Sequence, residues 1–354
     1  VYDHLDAIKG ALHDRLAAER DSAFLSRDLA RIKRDVPVTL DLAACVSHDY
    51  RYEDVEALFR ALEFRSLIDR LPRPTPGGQQ LSMFAMHEEQ KQAATHEPLV
   101  DFTIVDSKDA LAALVAQLES AEMIAFDVET TSTDQMRADL VGIALAVDGE
   151  RGYYIPVGHV APNAPAGGSA NQPDLLAGHT PHQLPLETVI AALRPALTSP
   201  HIPKVAHNAS YDLVMMRRYG IDVTPITFDT MLAEWISDPS SRNLGLKALA
   251  WVRTGAQMTP ISALIGSGRE QITMDRVPVE QAAPYAAADA AITRRLVDIL
   301  RPELEERQVW KLFSEVEMPL VPVIADMEMA GVLLDVNYLR QLSADLGERL
   351  ERRR

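Results

Sequence analysis

A single cysteine, Cys45, in 354 residues leaves no partner for an internal disulfide and no ligand set for a cysteine-rich zinc cluster. Cys45 itself reads as a small buried apolar residue. No run of about 18 apolar residues occurs, so no helix is long and apolar enough to span a bilayer. Residues 1–20 carry acids and bases throughout and lack the apolar core of a secretory signal. Basic charge is also short: 35 Lys and Arg against 51 Asp and Glu leave −16. That is the wrong sign for a protein that coats nucleic acid. The deficit is uneven, since residues 1–73 hold 12 basic and 14 acidic side chains. Divalent cations on a carboxylate cluster let an acidic protein act on a polyanion, so the sign of the charge does not decide the partner. The remaining composition, 47% hydrophobic and 24% charged, is globular and excludes wholesale disorder. The length predicts two or three domains. Together these readings predict a soluble cytoplasmic protein with no membrane partner.

Residues 1–35 read as helical, with Leu5, Ile8, Leu12 and Leu16 at helical spacing. A second helical stretch runs from about Asp54 to Leu71. The run Leu71-Pro-Arg-Pro-Thr-Pro-Gly-Gly-Gln-Gln and the polar residues to about Pro98 have the composition of a linker. From about Val100 strands and helices alternate. Ser107 is placed to cap a helix through Leu118, and Met123 to Thr130 reads as a strand. Val141–Val147 and Arg151–Val157, joined by Asp148-Gly, read as a hairpin pair. Residues 158–183 look like a long exposed loop. A helix near 185–197, a short strand at Lys204–His207 and a helix from about Ser210 follow. Beyond Asp229 the chain is mostly helical, with a Gly- and Pro-bearing loop around 255–278 and a new helical segment after Arg301-Pro302. The expected architecture is α/β, a mixed sheet flanked by helices. Neither end reads as a natural terminus, which predicts a piece of a longer chain.

Three short segments carry acids at element ends. Asp127 and Glu129 lie two apart in an apolar strand, so both carboxylates leave one face, about 7 Å apart at their Cα atoms. Bound cations would relieve their repulsion; acids at a strand end are also often simply solvated. Asn208 and Asp212 follow a strand at i,i+4 spacing, with Asn208 at a position that suits a helix N-cap. Tyr285 and Asp289 repeat that spacing in an alanine-rich helix, where Tyr285 also suits a core aromatic and Asp289 a surface acid.

Phe126-Asp-Val-Glu-Thr, Asn208-x-x-x-Asp212 and Tyr285-x-x-x-Asp289 resemble the three motifs of the DEDD-type 3′–5′ exonucleases, in the tyrosine-containing subgroup. Leu140-Val-Gly-Ile-Ala, Tyr154-Ile-Pro-Val, Phe228-Asp-Thr-Met-Leu and Glu317-Met-Pro-Leu-Val-Pro-Val are similar to the proofreading domain of bacterial family A DNA polymerases. Met329-Ala-Gly-Val-Leu-Leu-Asp335 resembles the start of their polymerase region. Residues 1–70, with Leu62-Glu-Phe-Arg-Ser-Leu, resemble the end of their 5′ nuclease domain.

The resemblance implies a ribonuclease H-like exonuclease fold with a small helical N-terminal part and a helical C-terminal extension. It implies four segments: 1–73 from the 5′ nuclease domain, a linker at 74–99, the exonuclease domain at 100–309, and a truncated start of the polymerase domain at 310–354. It also implies two divalent ions, Mg²⁺ or Mn²⁺, acting in phosphodiester hydrolysis. Asp127 matches the acid that bridges both ions, and Glu129 and Asp289 match acids completing the nucleophile-side ion. Asp212 matches the acid serving the second ion. Tyr285 matches the tyrosine that orients the attacking water, and Asn208 a residue near the 3′-terminal nucleotide. Thr133 stands where the family often has a leucine against the terminal base, and Pro260 where an aromatic is frequent, so selectivity for frayed ends is expected to differ. The implied partners are a single-stranded or frayed DNA 3′ end and the rest of a polymerase chain, with the protein a monomer. The polymerase and 5′ nuclease active sites are expected to lie outside this chain. Acids left over in the flanks, Asp28, Asp35, Glu317 and Asp335, read as surface and cap residues. Two other readings share these motifs: a ribonuclease D-type exoribonuclease, and a catalytically silent structural module of a polymerase.

Overall fold

The computed structural model describes residues 2–33, 36–37, 50–62, 64–68, 70–71, 99–161 and 182–353. Cys45, Asp35, the linker run at 72–98 and most of the expected loop, 162–181, lie outside the described residues. The chain divides into two compact units, Val1–Val55 and Glu56–Arg354.

In the first unit the helical stretch expected over 1–35 forms as three pieces. A 3₁₀ segment at Tyr2–Ala7 is followed by α1 (Ala11–Ala18) and α2 (Arg20–Ala30). Gly10 breaks the run at φ 74, a backbone region that a side-chain-bearing residue rarely enters. No residue of these helices is buried, and Leu12 is 59% exposed despite its helical spacing. Tyr2 packs against Phe24, ring centroids 5.3 Å apart, with Arg20 and Arg27 over the Phe24 ring. The second expected helical stretch, most of it in the second unit, forms as α3 (Tyr52–Ala61) and a single turn at Arg65–Ile68.

The second unit is built on a mixed six-stranded sheet. Along the chain come β1 (Asp101–Ile104), α4 (Lys108–Glu119), β2 (Ile124–Thr130), β3 (Leu140–Ala146) and β4 (Arg151–Pro156). After these follow α5 (Leu186–Thr198), β5 (Lys204–Ala206), α6 (Ala209–Arg218), β6 (Ile226–Asp229) and α7 (Thr230–Ser237). The chain ends in α8 (Leu246–Thr254), α9 (Val279–Glu306), α10 (Met318–Ala330) and α11 (Val336–Glu351). The Ser107 side chain caps α4 by accepting from the Ala110 N–H at 3.3 Å. Asp148 shapes the β3–β4 turn by accepting from the N–H groups of Glu150 and Arg151, both at 2.8 Å. Asp335 caps α11.

The strand order is β1-β4-β3-β2-β5-β6, with β3 antiparallel to both neighbours and the other pairings parallel. With β1 set aside, a β2–β3–β4 meander continues into two parallel strands beyond β2. This is the ribonuclease H-like arrangement. Every residue of β3 is buried, as expected of a central strand covered by helices.

The helix α9 packs against β1 through β5. Its inward side is mostly alanine: Ala282, Ala283, Ala286, Ala287, Ala290 and Ala291 are all buried. Small residues let it approach closely, and a Cβ built on Gly152 of β4 would sit 2.2 Å from the Ala287 carbonyl oxygen. A helix boundary expected at Pro302 is not found; α9 runs 28 residues through both Pro284 and Pro302. Pro302 is exposed, so water can satisfy the carbonyl that loses its donor. Trp310, Phe313 and Phe228 then cluster where the chain turns into α10.

Candidate active site

Strand β2 buries Ile124, Ala125, Phe126 and Val128, and its alternation puts Asp127 and Glu129 on one face. Its neighbour β5 pairs with it only at Ile124 and Ala125. Past that point the β5 side of β2 is open, and the Val128 N–H donates instead to Asp212 Oδ1 at 3.1 Å. Asp212 stands in the first turn of α6. Asp289 arrives from α9, and single oxygens of Asp127, Glu129 and Asp289 all lie within 4.8 Å of one another.

Crowding and burial dominate the electrostatics. Burial, then the Asp289 charge, lifts the Asp127 carboxyl to about 8. Burial, then Asp127, lifts Glu129 well above the carboxylate range, and the same two causes lift Asp212. Asp289 is also raised by burial, against the pull of Lys247 and a hydrogen bond from the Tyr285 hydroxyl. Four acids cannot all ionise in such a space without added positive charge. The donor set is entirely carboxylate oxygen, which suits a hard divalent cation better than zinc. The cluster can hold a metal ion.

Residues 102–305, more than half of the chain, match a family model described as 3′–5′ exonuclease. The chain belongs to the 3′–5′ exonuclease family of A-type DNA polymerases. It is 38% identical over 374 residues to DNA polymerase I of Chloroflexus aurantiacus, covering 99% of this chain and 37% of that protein. It is 32% identical over 351 residues to DNA polymerase I of Pseudomonas aeruginosa, covering 97% of this chain and 36% of that protein. The chain thus spans little more than a third of the length of these curated relatives. A solved structure titled the POL domain of Pol1 from M. smegmatis, in complex with DNA primer-template and dNTP, matches with a TM-score of 0.50. Identity there is 20%, over 70% of this chain and 35% of that one, a likeness of fold.

Beside the carboxylates, Tyr285 is half-buried, with its hydroxyl on Asp289 and its ring centre 4.1 Å from the Lys247 ammonium. It has both a packed ring and a directed hydroxyl. Beside it lies a cavity of about 620 Å³, lined by Phe102, Met258, Leu264, Tyr285, Ala288 and Asp289 among others. Thr133 and Asn208 lie outside the carboxylate cluster, both exposed. The turn carrying Thr133 is held by Tyr211, whose hydroxyl meets Thr130 Oγ1 and the Ser132 carbonyl, each at 2.6 Å. Pro260 is exposed.

Asn208 does occupy the N-cap position of α6, but its side chain caps nothing. It takes a left-handed backbone, φ 62, which asparagine tolerates, and the capping passes to Asp229. The buried Asp229 carboxylate accepts from the N–H groups of Asn208 and Ala209 at 3.1 and 2.8 Å. It also accepts from Met231 and Leu232 at 2.9 and 3.2 Å. One side chain therefore caps both α6 and α7.

Asp229 was not singled out from the sequence; its position before α7 is a local cap signal, whereas the second helix start lies twenty residues away. Lys247, paired with Asp289, carried no motif signal at all. His207 donates or accepts at Thr230 Oγ1, 2.8 Å away, and burial together with the Lys247 charge pushes its imidazole down to about 4. It is neutral at neutral pH.

Proposed function

We propose that this chain is a divalent-metal-dependent 3′–5′ exodeoxyribonuclease, the proofreading part of a longer DNA polymerase I-type protein in replication and repair. The observation that carries this reading is the convergence of Asp127, Glu129 and Asp289 oxygens within 4.8 Å, beside Asp212, in a chain of the exonuclease family. Asp127, Glu129 and Asp289 would hold one ion, and Asp127 with Asp212 a second. Mg²⁺ or Mn²⁺ there would activate the attacking water and relieve charge on the leaving 3′ oxygen.

The chain's own residues do the positioning. The Tyr285 hydroxyl, anchored on Asp289, orients the water in line with the scissile bond. The new bond joins water oxygen to phosphorus, the P–O3′ bond breaks, and the 3′ oxygen gains a proton. The products are a nucleoside 5′-monophosphate and a strand one residue shorter. The adjacent cavity receives the terminal nucleotide, and the exposed Asn208 and Thr133, outside the cavity lining, are its further contacts in this reading.

Residues 1–73 are the end of a 5′ nuclease domain, 74–99 a linker, 100–309 the exonuclease domain and 310–354 the start of a polymerase domain. The catalytic centres of the two flanking domains lie outside this chain, and its setting is the cytoplasm, as a monomer. No described helix is long and apolar enough to cross a membrane.

The test is incubation of 5′-labelled single-stranded DNA, and a matched RNA, with the chain and Mg²⁺ or Mn²⁺. A ladder shortening from the DNA 3′ end, lost in Asp127→Asn, is expected. Intact DNA would refute the reading, and preferential loss of the RNA would move the chain to the exoribonucleases.

A further inference from the structure

We propose that Lys247 is a resident counter-ion of the carboxylate cluster, holding Asp289 until a divalent cation displaces it and so setting the metal concentration at which the site fills. This rests on the reading of the cluster as a metal site. Among the described residues, Lys247 is the one cation ion-paired with any of the four acids, through Asp289 Oδ1. Its ammonium also lies 4.1 Å from the centre of the Tyr285 ring, whose face attracts cations. The groups around it are Asp289 and Tyr285 on α9, Asp127 and Glu129 on β2, and the neutral His207 before α6.

The helix that carries Lys247 gives no reason for a cation at this place. Lys247 sits in the first turn of α8, which has no acid there and no side-chain cap on Gly245. Positive charge at a helix N-terminus opposes the helix dipole. The placement is explained by the carboxylates across from it. Lysine also suits exchange: its four-carbon stem is flexible and its side chain is 23% exposed, so the ammonium can withdraw into water without backbone movement. An incoming cation must then compete with an ammonium already in contact, which weakens its apparent affinity by the fraction of time the site is held. Removing the ammonium therefore has two opposed effects. The metal-free fold loses its internal neutralisation, and the metal loses its competitor.

The experiment measures free Mn²⁺ by electron paramagnetic resonance during titration of the full chain, and thermal melting with and without Mn²⁺. The variants are Lys247→Met, Lys247→Arg and Asp127→Asn. Lys247→Met should bind Mn²⁺ about tenfold or more tightly than wild type. It should also melt lower without metal and gain more on loading. Lys247→Arg, which keeps the charge, should bind no tighter than wild type. If Lys247→Met does not fold without metal, recovery of its circular dichroism on Mn²⁺ titration supports the proposal, and failure to recover overturns it. Equal or weaker Mn²⁺ binding by Lys247→Met, with binding lost in Asp127→Asn, overturns the counter-ion role and leaves the metal site standing. No Mn²⁺ binding by wild type overturns both.

Discussion

Replacing Asp229 by alanine tests whether one carboxylate starts two helices. In the native chain Oδ1 accepts from Asn208, Met231 and Leu232, and Oδ2 accepts from Ala209 alone. Asp229 is only 2% exposed, so water cannot replace these bonds without rearrangement. Loss of one helix cap costs about 0.5–2 kcal/mol, and a charged acceptor lies toward the upper end. Two caps lost together give about 2–4 kcal/mol, which for a domain of this size lowers the melting temperature by roughly 4–16 °C. Asp229→Asn should fall between, at about 1–2 kcal/mol. Its remaining carbonyl oxygen keeps the three Oδ1 bonds, while Ala209 loses its acceptor. Urea unfolding followed by circular dichroism measures the totals, and amide exchange at Ala209 and Met231 assigns them to α6 and α7. A loss below 1 kcal/mol for alanine, or faster exchange in α7 alone, would refute the double cap.

Three further outcomes are expected. Tyr285→Phe should slow single-turnover cleavage of single-stranded DNA by on the order of 10–10³ with binding unchanged, and a wild-type rate would reduce the tyrosine to packing. Gly152→Ala should destabilise by about 2–3 kcal/mol, since its Cβ meets the Ala287 backbone at 2.2 Å; an unchanged melt would mean that α9 can retreat from the sheet freely. Lys204 is fully enclosed, its ammonium donating to the carbonyls of Ser199 and Thr224, and burial lowers it from 10.5 to about 8. Between those values the unfolded chain holds a proton that the folded chain has released, so wild-type stability should rise with pH from about 8 towards 10.5 relative to Lys204→Met. Parallel urea-unfolding profiles for the two proteins across that range would refute this.

The elements that can be read from the sequence are those whose determinants are local. Ser107 announces α4 because the cap and the N–H that donates to it lie within three residues. The β3–β4 hairpin is marked by Asp148, which bonds the next few amides. Strand β1 has four residues and pairs with β4 some fifty residues onward, so nothing near Asp101–Ile104 marks it as a sheet edge. Pro302 reads as a helix boundary because a proline removes a hydrogen bond. Whether that loss matters depends on exposure, which a sequence does not display. Among the site residues, Asp127 and Glu129 were visible through the two-residue period of a strand. Their meeting with Asp289 depends on α9 crossing the sheet, which the motif resemblance conveyed and the periodicity did not. Lys247 had neither a period nor a motif to mark it.

The bond from the Val128 N–H to Asp212 bears on how an inactive form of such an enzyme is best made. A substitution at Asp212 removes a carboxylate and also leaves an amide of the central strand without its acceptor, next to the residues whose geometry matters most. Inactivity there would mix lost chemistry with a disturbed strand. Among the described residues none gives Asp127 a comparable backbone bond, and it sits where like charges already repel, so neutralising it alters the charge and spares the scaffold. A stalled complex meant to trap an intact 3′ end should be built on Asp127→Asn, with Asp212 left alone to hold the strand.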